Sequence, residues 1–239
     1  MRIIVRIGIG LAIVAAAIAG YAGWLGYWSD DPFVPVPAAT PESTQPLAAV
    51  IVSGDMGFKT GMGPEIAGRL SKDGIPVLGV NSLVYFRDRR SPAEIRAFIA
   101  DAIERGLRFG HARKLVLIGQ SFGADMVQVG LDGLSPELKA KLAAVVLVVP
   151  GDTVDYRVSP AELLDLIAPD AAALPTARKL DWIPTTCIQG AEETDSLCPH
   201  LKAPNVHKVA LPGGHPLHRN ADALYVEIVK AIERAELAH

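Results

Sequence analysis

Residues 114–131 read KLVLIGQSFGADMVQVGL. The first six are an apolar run of strand length, and residues 124–131 resume with helix-like spacing. Between them stands Gly119-Gln120-Ser121-Phe122-Gly123, a G-x-S-x-G pentapeptide. A glycine-flanked serine also fits an ordinary strand–helix turn, but with a buried strand before it and a helix after it the pentapeptide is a nucleophile elbow. The reason is steric. The chain turns sharply with its serine in a strained conformation, and small residues two before and two after let strand and helix approach. Ser121 is lifted above the sheet edge. The N–H of Phe122, at the helix start, points where an oxyanion would form.

Outward from the elbow, apolar runs predict further strands over residues 48–53, 75–80 and 143–149, and residues 184–189 and 206–211 read as two more. Helical spacing fills the intervals. Pro64 opens a helix to residue 71; Ser91, Pro92 and Glu94 cap one that runs to about residue 107; Ser135 and Ser159 start two more; residues 221–237 close the chain. The strands are continuous apolar runs rather than alternating ones. A mostly parallel sheet of about six strands, with helices on both faces, follows. Catalytic groups in such sheets gather beyond the carboxyl ends of the strands.

Two of those ends carry the right chemistry. Gly190-Ala191-Glu192-Glu193-Thr194-Asp195 follows one strand, and Pro212-Gly213-Gly214-His215-Pro216-Leu217-His218 follows the last. With Ser121 the chain order is serine, acid, histidine, the order of the α/β-hydrolase arrangement. A serine hydroxyl barely ionises at neutral pH and needs an imidazole to take its proton. The imidazole needs a carboxylate to fix its tautomer. His215 is the expected base, with His218 as alternate. Asp195, four residues before Pro199, is the expected acid; Glu192 and Glu193 stay open. A second oxyanion donor is expected from the glycine-rich loop 54–63, near Asp55 or Met56.

That loop is no phosphate-binding P-loop, because Phe58 precedes Lys59 where such a loop needs glycine. No H-x-x-x-H or C-x-x-C pair is present, so no metal and no other cofactor is expected. A net charge of −3 gives no electrostatic case for nucleic acid. The cluster Arg87-Asp88-Arg89-Arg90 reads as a solvated group that also suits anionic headgroups.

The N-terminus is of another kind. Arg2 and Arg6 precede an apolar run over residues 7–28 that ends in Tyr21, Trp24, Tyr27 and Trp28. Its length and its aromatic end fit an inner-membrane anchor with the body exported, and Ala17-Ile18-Ala19 offers the competing reading of a cleaved signal peptide. Residues 29–46 carry five prolines and read as an extended linker, so the domain is expected to begin at Leu47 and run to residue 239. In an exported protein the two cysteines, Cys187 and Cys198, suggest one disulfide around the acid loop.

Five motifs in order, Ser53-Gly-Asp-x-Gly57, Asn81-Ser-Leu-x-Tyr-Phe86, Gly119-Gln-Ser-Phe-Gly-Ala-Asp125, Asp195-Ser-Leu-Cys-Pro199 and Pro212-Gly-Gly-His215, resemble the VirJ/AcvB bacterial virulence protein family. The resemblance covers about residue 48 to the end and implies a periplasmic α/β-hydrolase domain. It carries the family's serine, acid and histidine onto Ser121, Asp195 and His215. Members of the AcvB type hydrolyse lysyl-phosphatidylglycerol, which implies a periplasmic serine hydrolase acting on a lipid or small-molecule ester; VirJ-type relatives imply a secretion-machinery partner instead. Met56, Phe58, Val84, Pro216 and Leu217 depart from the family's usual residues, at pocket and rim positions.

Overall fold

A computed structural model describes residues 2–40, 47–158 and 168–237. The helix expected after Ser159 lies outside the described residues. Among the described residues nine strands form, β1 (Phe33–Val36), β2 (Leu47–Val52), β3 (Val77–Val80), β4 (Lys114–Gln120), β5 (Leu142–Val148), β6 (Thr153–Val154), β7 (Ala171–Ala172), β8 (Thr185–Gly190) and β9 (Val206–Leu211). The helices are α1 (Arg2–Leu25), α2 (Gly63–Lys72), α3 (Ser82–Tyr85), α4 (Pro92–Phe109), α5 (Phe122–Gly130), α6 (Pro136–Lys139), α7 (Leu174–Ala177) and α8 (Ala221–Leu237).

The main sheet has seven strands in the order β1-β3-β2-β4-β5-β8-β9. Six are parallel and lie at the six predicted strands; the last, β9, is not the continuous buried run expected, because it forms the edge of the sheet and His207 and Lys208 are exposed. Successive side chains of a strand face opposite ways, and this sheet uses both faces. Val50, Val52, Leu115 and Leu117 pack with Ile95, Ile99 and Ile103 of α4 and Met126 and Val127 of α5. Ala49, Ile51, Val116 and Ile118 pack with Ile66 and Leu70 of α2 and Leu224 and Ile228 of α8. Each such large apolar side chain, fully buried, stabilises by roughly 1.5–3 kcal/mol. At the start of α4, Ser91 and Glu94 form the predicted capping box.

The seventh strand corrects the linker boundary. Phe33–Val36 pairs antiparallel with β3. The segment is not a free tether, because β3 leaves an open edge and an edge strand tolerates Pro35. Just before it, Leu25 is buried. Its carbonyl accepts from Asn81 Nδ2 at 2.8 Å, and Arg87 Nη1 donates to the Tyr27 and Ser29 carbonyls, each at 2.7 Å. The body therefore takes in chain well before Leu47. Nor is the basic cluster purely solvated: Arg87 holds this segment, and Arg89 pairs with Asp170.

Among residues described to the side chain, no helix is long and apolar enough to cross a membrane. Taken over its whole length, α1 has 24 residues, about 36 Å of helix.

Candidate active site

The elbow forms as the steric argument requires. Ser121 sits at φ 53° and ψ −127°, between the end of β4 and the first residue of α5. A side chain on Gly119 would meet the α5 backbone at Gly123 and Ala124, 2.5 Å away. One on Gly123 would lie 2.2 Å from the Val52 carbonyl oxygen, at the end of β2. Gly123→Ala is therefore expected to lower stability by about 3 kcal/mol or more, or to prevent folding, since backbone rather than a flexible side chain must give way. Chemical denaturation of the purified variant checks this.

Ser121 Oγ lies 2.7 Å from His215 Nε2. His215 Nδ1 lies 2.8 Å from Glu193 Oε1. A carboxylate only accepts, so Nδ1 carries the proton and Nε2 is left to accept from the serine hydroxyl. The second Glu193 oxygen accepts the Gly190 N–H at 2.6 Å, and the Glu193 side chain is 4% exposed.

The carboxylate beside the imidazole is thus that of Glu193, not the expected Asp195. The cause is where the turn closes. Glu193 N–H bonds back to the Gly190 carbonyl at 3.2 Å, which curls residue 193 over the strand end. Asp195 lies farther along, exposed, with its carbonyl accepting the Asp152 N–H at 2.8 Å. Glu192 is also exposed, and its N–H donates to the Gly213 carbonyl. That bond, with Ala191 N–H to the Leu211 carbonyl, joins the acid turn to the histidine loop. The two segments are so close that a side chain on Gly190 would reach the Gly214 carbonyl oxygen at 2.4 Å.

His218 packs over Gly213 instead of reaching the serine. Leu217, His218 and Arg219 form a short left-handed turn, with φ between 50° and 53°. A run of such residues is costly without glycine. Val149 at the end of β5 is also left-handed, at φ 46° and fully buried. Strain of this kind clusters at functional sites, and both Val149 and Arg219 line the cleft beside Ser121.

On the oxyanion side, Gly54 sits against Ser121, and Asp55 and Met56 line the same cleft. The Met56 N–H donates to its neighbour, Asp55 Oδ1, at 2.8 Å. It is free to meet an oxyanion only when that carboxylate swings aside. Phe122 begins α5, where the first N–H groups have no partner within the helix.

Two features brace the acid loop. Cys187 in β8 and Cys198 just past the loop form a disulfide. Closing so short a loop contributes about 2–3 kcal/mol on the chain-entropy model. Reduction under otherwise native conditions is expected to lower the unfolding free energy by that amount. Asp125 of α5 accepts the Gly151 N–H at 3.1 Å, and Gly151 in turn bridges to Ser196. Asp125 was not singled out as a site residue from sequence, although it lies four residues past the serine, one helical turn on.

Burial pushes the Asp125 carboxyl well above the usual carboxylate range; the Gly151 N–H opposes this, and Asp155 and Asp152 add to it. With the folded value raised, the native state holds a proton that the unfolded chain has released. This contribution is complete below the ordinary carboxylate value and fades as pH climbs from there to the raised value. Urea midpoints of Asp125→Asn are expected to depend less on pH than the parent's across that window.

The cleft holding these groups has a volume of about 630 Å³ and is lined by Tyr21, Asp55, Met56, Ser121, His215 and Arg219, among others. Residues 46–236 match a family profile described as "Bacterial virulence protein (VirJ)". No curated protein matches the sequence. Among solved structures, Est1E from Butyrivibrio proteoclasticus aligns with a TM-score of 0.59 at 12% identity, covering 84% of this chain and 94% of that one. An α/β hydrolase from Penicillium sp. sh18, GrgF, gives 0.59 at 14% identity, covering 86% and 99%. The thioesterase domain from the curacin biosynthetic pathway gives 0.52 at 15% identity, covering 82% and 94%. These likenesses show an α/β-hydrolase fold.

Proposed function

This chain belongs to the VirJ family of bacterial virulence proteins, and from that premise we propose that it is a serine ester hydrolase of the periplasm, held to the inner membrane by α1. The observation that carries the reading is the unbroken relay from Ser121 Oγ through His215 to Glu193, two contacts of 2.7 and 2.8 Å. In it, Ser121 Oγ attacks the ester carbonyl carbon while His215 Nε2 takes the hydroxyl proton. The oxyanion is met by the Phe122 N–H and by a donor from loop 54–56. His215 then gives the proton to the departing alcohol. Water, deprotonated by the same imidazole, attacks the acyl-enzyme, releasing the acid and restoring Ser121. Glu193 holds the imidazole in the tautomer that both halves need.

The substrate we propose is an aminoacyl ester of phosphatidylglycerol. The cleft's two charges support it: the Asp55 carboxylate suits an ammonium, and the Arg219 guanidinium suits a phosphate. Purified protein with lysyl-phosphatidylglycerol in mixed micelles is expected to release free lysine. A fluorophosphonate is expected to label Ser121. Labelling without lysine release leaves a hydrolase of another ester or thioester. A native protein that resists the label is no serine hydrolase, and an adaptor role for a secretion machine takes its place.

A further inference from the structure

The end of α1 enters the catalytic cleft. Tyr21, in the last turns of α1, lines the same cavity as Ser121 and His215. It stacks on Trp24, with ring centroids 5.8 Å apart, and Lys59 of the oxyanion-side loop lies 5.8 Å from the Trp24 ring. One turn on, about 6 Å along the axis, Leu25 is buried in the body and its carbonyl is held by Asn81. Asn81 N–H also holds the Pro32 carbonyl, at 2.8 Å. Counting the Arg87 bonds and the β1 ladder, the chain from Leu25 to Val36 is fastened at every few residues. No slack separates helix from sheet.

Before Tyr21, α1 has the opposite character. Ile7, Ile9, Leu11, Ile13, Val14 and Ile18 are 55–65% exposed. These residues point to more than one side, and alanines and glycines fill the positions between. A helix apolar all round has no water-facing side and calls for lipid. Its aromatic end belongs at the headgroup level. Tyr21 and Trp24 are thus both interfacial residues and neighbours of the catalytic cleft.

We propose that α1 is a rigid arm that turns the mouth of the catalytic cleft onto the bilayer surface, with Tyr21 as one wall of the cleft. The substrate is then an ester carried at the membrane–water interface, reached without leaving the lipid. The lipid-ester part of this statement rests on the hydrolase reading above; the orientation does not.

The test uses the full chain in vesicles of phosphatidylcholine and phosphatidylglycerol. The described residues include no free cysteine, so one added cysteine takes a fluorophore uniquely. Met56→Cys labels the cleft rim. Arg108→Cys labels the far end of α4, next to Gly110, which packs on Ala48 and Pro76 at the amino edge of the sheet. Nitroxide lipids labelled at the headgroup are expected to quench the first fluorophore several times more than the second.

Insertion of about ten Gly/Ser residues between Gly20 and Tyr21 leaves the cleft wall in place but frees the membrane segment. It is expected to abolish the difference in quenching and to lower turnover of p-nitrophenyl palmitate in the vesicles at least tenfold. Turnover of soluble p-nitrophenyl acetate is expected to stay within twofold of the parent. Equal quenching at both sites in the uninterrupted chain overturns the proposal. So does a chain that fails to float with vesicles, or an insertion that leaves palmitate turnover intact. A parent that hydrolyses neither ester refutes the hydrolase, while the quenching still decides the orientation.

Discussion

Ser121→Ala is expected to lower ester turnover by at least about a thousandfold and to remove fluorophosphonate labelling altogether. The size follows from what is lost. Without the oxygen there is no acyl-enzyme, and residual rate comes only from binding and oxyanion stabilisation. The fold is expected to survive. Ser121 makes its structural bonds through the backbone, its N–H to the Val148 carbonyl and its carbonyl to the Ala124 N–H, and alanine keeps both. The left-handed φ of 53° is shared by the two residues, so the strain at the elbow does not change sign. A thermal midpoint within about 2 °C of the parent fits a change worth a few tenths of a kcal/mol. A variant that keeps most of its activity would place the nucleophile elsewhere, and the site as drawn would fail.

Glu193→Gln carries the second large effect, and Asp195→Asn is its control. An amide at residue 193 no longer enforces a proton on His215 Nδ1, and it cannot balance the charge of the imidazolium that forms as Ser121 attacks. The expected loss in kcat is about 10³–10⁴-fold, with KM little changed. Asp195→Asn is expected to stay within about twofold, because an exposed side chain held only through its backbone takes no part in the relay. Steady-state kinetics on a soluble ester reads both. The reverse outcome, a crippled Asp195→Asn beside an active Glu193→Gln, would mean that the acid loop rearranges on binding substrate and that the 2.8 Å contact belongs to a resting state.

The contrast between these two carboxylates marks where sequence stops being informative. The central parallel strands were legible because a strand covered on both faces has to be apolar, as residues 142–148 and 115–118 are. The elbow was legible because two glycines are forced by contacts of 2.2 and 2.5 Å. The histidine was legible from its place after the last strand. The acid was not. Glu193 and Asp195 differ by two positions in a polar loop, and which one faces inward depends on the turn closed between Gly190 and Glu193. Nothing in the residue types fixes that turn. β1 was hidden for a different reason. FVPV within a proline-rich stretch carries the signals of a linker, and only the empty edge of β3 makes it a strand. The role of Asp125 was hidden as well, because its partner, Gly151, is reached only once the two loops are laid side by side.

The Cys187–Cys198 bridge bears on when such an enzyme becomes competent. Its two ends flank the turn that presents Glu193, so a reduced chain carries its carboxylate on a loop that has lost its covalent brace and keeps only the hydrogen bonds to residues 150–152. Thiols stay reduced in the cytosol and oxidise after export. With the export and the lipid-ester substrate proposed above, a newly made chain still inside the cell would meet the cytoplasmic leaflet before that brace has formed, and the lipid esters there would be spared. Crossing the membrane would then complete the part, and the proposed export would act as the protein's safety catch.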